Sequence, residues 1–209
     1  MNSDETELLK ALAGDVQWAL DHLAQADTPT ARRNLLRNLV SAAEGISWTY
    51  RTHVMSLARH FDAATPLIEM AFAEASYSVT ERGIIQEQAR HISLTAMIRL
   101  TTRVAQAFCP GLKVDFGVEG WSALKRAIAA RNRITHPKSS DDLVLSDGEI
   151  EAAKSGFFWF SDMAMSVMEA TLKAFAIDAQ ETKEFIDKLI AGDPETLALY
   201  EQAHQGPDD

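Results

Sequence analysis

An all-α fold is what this sequence predicts, and three observations carry the expectation. Ala, Leu, Glu, Gln and Met dominate the long periodic stretches, all of them good helix formers. Only six prolines and ten glycines interrupt 209 residues. Apolar residues recur at three- and four-residue intervals, and no stretch alternates convincingly with period two over more than a few residues. A chain of this length with 46% hydrophobic residues suits one domain around one core.

The elements follow in order. Residues 5–24 carry Leu8, Leu9, Leu12, Val16, Ala19, Leu20 and Leu23 on one stripe, which predicts an amphipathic helix broken by "ADTPT". From Thr30 to about Phe61 a long helix is marked by Leu35, Leu36, Leu39, Val40, Ala43, Tyr50, Val54 and Ala58. "DAATP" ends it, and Pro66 is placed to begin a short helix through "PLIEMAFAEA". The spacing of Ile84, Ile85, Ala89, Ile92, Met97, Leu100 and Val104 predicts a further helix from about Thr80 to Phe108, stopped by "CPG". Another spans about 118 to 135. Ser146 and Glu149 have capping-box spacing, so a helix should begin there and run to about Ala176, with its "FFWF" broad enough to be buried on several sides. Two short helices, roughly 178–191 and 194–204, complete the chain. The expected domain is single, with a core over about 28–176, an N-terminal helix in 1–27 and acidic helices in 177–209.

Charge is unevenly distributed along the chain. The net value is −10, yet residues 28–138 hold fifteen bases against eight acids, while both flanks are acidic. A basic middle can offer an anion a groove even in an acidic protein. The acidic start "MNSDETELLK" has no secretory pattern, and no apolar run approaches the roughly 18 residues of a membrane span. A lone Cys109 excludes an internal disulfide framework and a cysteine-based zinc knuckle. A cytoplasmic protein without membrane attachment is expected.

One stretch departs from helical routine. In "RNRITHPK" the apolar stripe of Trp121, Leu124, Ala127, Ile128 and Ile134 lands on Arg131, where a hydrophobe belongs. A guanidinium there needs a counter-charge, carbonyls or a polar cleft. Lys125, Arg126 and Arg133 fall on the wetter side. His136 lies about 140° round an ideal helix from Arg131, but Pro137 disfavours helical geometry at the residue before it, so the imidazole is expected to swing free. Asn132, one turn earlier, is placed to orient it. An arginine, an amide and a histidine suit RNA phosphodiester chemistry. Histidine, with an ordinary pKa of about 6.5, can move the proton of a 2′-hydroxyl or of the departing 5′-oxygen, and a guanidinium can hold the phosphate oxygens. A single histidine lacks a partner for the second proton transfer, which predicts two copies facing across a two-fold axis.

These residues resemble the Arg-Asn-x-x-x-His signature of HEPN domains, the higher eukaryotes and prokaryotes nucleotide-binding superfamily. The likeness extends to the proline, the polar loop "KSSDD" and "LSDGEIEAA" opening an aromatic-rich helix, and covers residues 117–170 best. It implies an up-and-down four-helix bundle core with additional terminal helices. It further implies a homodimeric, metal-independent endoribonuclease of the toxin or antiviral-defence kind, with RNA as substrate and an antitoxin or defence-system partner. By this resemblance Arg131, Asn132 and His136 would be the catalytic residues. Members paired with a nucleotidyltransferase antitoxin often carry tyrosine two positions after the histidine; Lys138 stands there, which speaks against modification by that route. Arg51, Arg133 and Lys138 are, on charge alone, the candidate nucleic-acid contacts.

Two other possibilities compete. Arg131 could instead pair with Glu44 of the second helix while His136 merely ends a helix before proline, leaving a non-catalytic module that binds RNA or protein. A metal-dependent helical enzyme lacks support: His53 and His60 are about 10.5 Å apart along one helix, and no Glu-x-x-His pair or glycine-rich phosphate loop occurs. No metal and no cofactor is therefore expected. Trp18, Trp48, Trp121 and Trp159 sit on apolar stripes and are expected in the core or a dimer interface.

Overall fold

The computed structural model describes residues 3–204 and has an all-α architecture with one small β-ribbon. Helix α1 (Ser3–Gln25) turns Val16 and Ala19 onto α2 (Pro29–His60). Thr28 starts α2, its hydroxyl accepting from the Ala31 N–H at 3.1 Å, with Pro29 in the first turn where its missing N–H costs nothing. α2 is the central element and packs against α1, α4, α5 and α6. Its buried face includes Leu35, Leu36, Leu39, Val40, Tyr50 and Val54. The Tyr50 hydroxyl meets the Thr102 hydroxyl at 2.9 Å inside the core, and burial raises its proton affinity above the ordinary phenol value.

The short α3 (Pro66–Phe72) is capped by Thr65 and leads into an antiparallel hairpin, β1 (Ala75–Val79) and β2 (Ile85–Ala89). Ala75 pairs with Ala89 and Val79 with Ile85. The tip closes on Thr80, whose hydroxyl accepts from the Ile84 N–H at 3.1 Å, and Gly83 supplies φ +73°. This ribbon corrects the expected helix from Thr80: α4 is confined to Leu94–Phe108, begun by the Ser93 cap. The ribbon projects most of both faces into solvent, so buried alternation, the usual mark of a strand, is missing from its sequence.

Helix α5 (Glu119–Thr135) packs along α6 (Asp147–Ile190) so closely that Gly156 faces the backbone of Leu124 and Gly120 faces the Trp159 ring. The predicted capping box is present at the start of α6: the Ser146 hydroxyl accepts from the Glu149 N–H at 3.3 Å, and the Glu149 carboxylate accepts from the Ser146 N–H at 3.0 Å. The expected division near Ala176 is absent. "IDAQETKEF" offers no breaker, and α6 continues as one helix until Gly192, at φ +73°, and Pro194 turn the chain into α7 (Pro194–His204). The buried positions of α6 end at Thr171, so its last turns extend past the core. No helix among the described residues is long and apolar enough to cross a membrane.

A candidate anion and base cleft between α2 and α5

Two helix faces and a loop enclose a cleft of about 440 Å³. From α2 come Glu44, Ser47, Trp48 and Arg51, spaced i, i+3, i+4 and i+7 and so on one face. From α5 come Ile128, Arg131 and Asn132, again one face. Glu74 and residues 91–94 add a rim, and Met97 of α4 an apolar wall.

Arg131 therefore reaches a polar cleft and finds its counter-charge there. Its guanidinium pairs with the Glu44 carboxylate of the same chain, with the arginine side chain 27% exposed and the glutamate 47%. Asn132, exposed, stands beside it on the cleft wall. His136 is placed differently. It caps α5 at φ −124°, ψ 60°, leaving helical geometry just before Pro137, while its backbone N–H still donates to the Asn132 carbonyl at 3.1 Å. The imidazole is exposed and lies outside the residues that line the cleft. One chain thus brings Arg131 and Asn132 together and leaves His136 apart, at the helix end.

The second arginine of the cleft is the better anchored. Arg51 is only 8% exposed; it pairs with Glu74 at 3.2 Å and lies over the Trp48 ring, 4.3 Å from its centroid. Glu74 is held firmly. It occupies the left-handed region at φ +53°, where the chain turns from α3 into β1, and its carboxylate accepts from the Ile92 N–H at 2.9 Å. That N–H first, and Arg51 next, keep the carboxyl below its ordinary pKa. His91 approaches it at 3.7 Å.

Other sequence candidates occupy other places. Arg133 fastens the loop after α5: its guanidinium donates to the Asp142 carbonyl at 3.2 Å and the Val144 carbonyl at 2.9 Å, and pairs with Glu149 at 2.8 Å. Arg32 and Arg33 of α2 hold the same loop, donating to the carbonyls of Leu145 at 3.0 Å and Leu143 at 3.3 Å. Lys138 is exposed in that loop, its backbone N–H bound by Asp142 at 2.7 Å. His53 meets the Thr171 hydroxyl at 3.0 Å, and His60 pairs with Asp178 at 2.8 Å, so the two serve separate helix contacts. No group of three or more metal-capable side chains is found among the described residues.

Sequence reasoning missed Trp48, Glu74 and His91 as cleft residues. Trp121 lies in the core, whereas Trp18 and Trp48 are exposed on the single chain, Trp48 at 54%, and so are not core residues. The i, i+3, i+4, i+7 run of Glu44, Ser47, Trp48 and Arg51 was the available signal: an amphipathic and charged stripe directly beside the core stripe of α2.

Comparison of the chain with protein-family models, with curated proteins and with solved structures finds no match.

Chemically, the cleft offers an aromatic surface, an amide and two guanidiniums, one fixed and one held by a half-exposed carboxylate. Surface pairs of the second kind are weak, and a phosphate that offers two oxygens to a guanidinium competes well with them.

Proposed function

We propose that this chain is a metal-independent endoribonuclease of the HEPN type that works as a homodimer in toxin or defence biology. The observation that carries the proposal is the end of α5: Arg131 and Asn132 face an open cleft, and His136 stands exposed where Pro137 ends the helix. Arg131 would hold the non-bridging phosphate oxygens, with Asn132 as a further polar contact. His136 would take the proton from the 2′-hydroxyl, whose oxygen then attacks phosphorus. The bond to the 5′-oxygen breaks, and that oxygen leaves with a proton supplied by the His136 of a second copy. The products are a 2′,3′-cyclic phosphate and a 5′-hydroxyl. Because one chain leaves its own His136 outside the cleft that holds Arg131, the reaction requires a two-fold pairing that carries both His136 imidazoles to the bound phosphate.

A specific observation favours a second reading. Glu44 occupies Arg131 within the chain, and His136 is not among the cleft-lining residues. Both fit a non-catalytic module that binds RNA and leaves it intact.

Incubating mixed RNA with the purified protein in excess EDTA, beside an Arg131→Ala, His136→Ala double variant, separates the two. Cleavage by the wild type alone supports the nuclease; RNA bound but uncut supports the binding module.

A further inference from the structure

We infer that the β-ribbon is a docking surface for a second copy of this chain, the two β1 edges pairing antiparallel about a two-fold axis at Tyr77. This goes beyond the nuclease reading and does not rest on it, since the ribbon calls for a partner through its own edge and face.

The hydrogen-bond ladder fixes which backbone groups are free. The Arg90 N–H donates to the Glu74 carbonyl at 2.6 Å, and the Thr80 N–H to the Ile84 carbonyl at 3.0 Å. Bonded pairs in an antiparallel ladder recur at every second residue, so Ser76 and Ser78 turn their backbone groups toward β2, while Ala75, Tyr77 and Val79 turn theirs outward. The same three residues put their side chains on one face, with Ala89 and Ile85 as cross-strand neighbours of Ala75 and Val79. Val79 and Ile85 are each 69% exposed, and Tyr77 51%. A two-stranded ribbon is marginal by itself, and an apolar edge without charge is a template for another strand.

The two edges differ in a way that selects the partner. β2 carries Glu87 at its centre, a charge that blunts an edge, and pairing β2 with its own copy would set Glu87 against Glu87. β1 carries no charge. Pairing β1 with the β2 of another copy would leave free edges and build an open array, whereas β1 on β1 closes. With Tyr77 facing Tyr77, Ala75 meets Val79 of the second copy, and each such pair can exchange two backbone hydrogen bonds.

The fit extends past the strands, because antiparallel pairing lays the tip of one ribbon beside the base of the other. At the base, α3 and β1 border a groove of about 450 Å³, lined by Leu67, Met70 and Ala71 of the helix and by the consecutive residues Ala75, Ser76 and Tyr77 of the strand. Consecutive strand residues belong to opposite faces, so the groove runs along the edge of β1. Leu67 is 73% exposed there. Val79 of the second copy, set beside Ala75 by the register, brings an apolar side chain to it. Charge agrees with this placement: Arg90 lines the groove, and Glu81 stands exposed at the tip that meets it.

Sedimentation equilibrium of the full chain tests the inference, with circular dichroism to check folding. The wild type is expected to be dimeric at about 100 μM. Val79→Lys and Ala75→Glu should each raise the dimer Kd at least about tenfold, and the double variant should recover most of the loss. Residues 75 and 79 lie about 13 Å apart along one strand, so the recovery can arise only between copies. In a Cys109→Ser chain, Tyr77→Cys should cross-link to itself under mild oxidation, and Ser78→Cys, which faces Ser76 of the second copy, should not. A wild type that stays monomeric would overturn the inference and leave the edge to a foreign strand. A dimer indifferent to Val79→Lys, or a double variant no better than the single ones, would overturn it as well.

Discussion

Glu44 of α2 and Arg131 of α5 form an ion pair between the two helices that wall the cleft, and the pair leaves the sequence's most misplaced charge satisfied within its own chain. A guanidinium on an apolar stripe is thereby tolerated without a second copy. The same pair makes Glu44 a competitor for any phosphate that Arg131 would hold.

Removing that competitor should strengthen binding. Glu44→Gln is expected to tighten RNA binding about threefold to tenfold at low salt, the gain shrinking as salt is raised. Because both partners are partly exposed, stability should change by no more than about 1 kcal/mol. Filter binding at two ionic strengths and a thermal melt check both; unchanged RNA affinity would place the phosphate contact elsewhere.

Arg133 is expected to behave as a structural clasp. Arg133→Ala removes two carbonyl contacts and the pair with Glu149, and should cost about 1–3 kcal/mol while leaving intrinsic RNA affinity alone. Amide exchange should rise in residues 137–146. A loss of RNA affinity with no change in exchange would restore Arg133 as a nucleic-acid contact.

The seam between α5 and α6 depends on Gly156. A methyl group there would overlap the backbone of Leu124, which cannot turn away as a side chain can. Gly156→Ala should therefore destabilise by about 2–3 kcal/mol, lowering Tm by roughly 5–10 °C. Gly148→Ala, where a methyl meets nothing within 4 Å, is the control and should leave Tm nearly unchanged.

His53 gives a pH dependence of defined sign. Burial lowers its proton affinity below the ordinary imidazole value of 6.5. Near and below pH 6.5 the unfolded chain binds a proton that the folded chain refuses, so this contribution to stability is present above that pH and is lost as pH falls toward the lower folded value. Its slope is at most about 1.4 kcal/mol per pH unit. His53→Gln should flatten the decline of Tm between about pH 7 and pH 5; an identical decline in the variant would contradict the assignment.

How much of this was legible beforehand depends on where each residue stands. The all-α class, the Ser146 capping box and Pro66 opening α3 could be read because caps and stripes are local signals. Arg131 stands out because it breaks a stripe, and Glu44 on the second helix is the counter-charge within reach. The β-ribbon escaped because Val79, Ile84 and Ile85 are exposed there, so their spacing mimicked a helix without reporting any burial. The continuity of α6 past Ala176 was hidden by the change from an apolar to a charged surface, which altered composition but supplied no breaker. The cleft itself could not be seen, since Trp48 and Asn132 come to line one cavity only when α2 and α5 pack together.

The most direct test of the central claim is the end group left on RNA. In excess EDTA, the wild type is predicted to produce fragments ending in 2′,3′-cyclic phosphate, and Arg131→Ala and His136→Ala should each reduce their yield by at least about a hundredfold. Intact RNA under the wild type, or cleavage by either variant at the wild-type level, would contradict it.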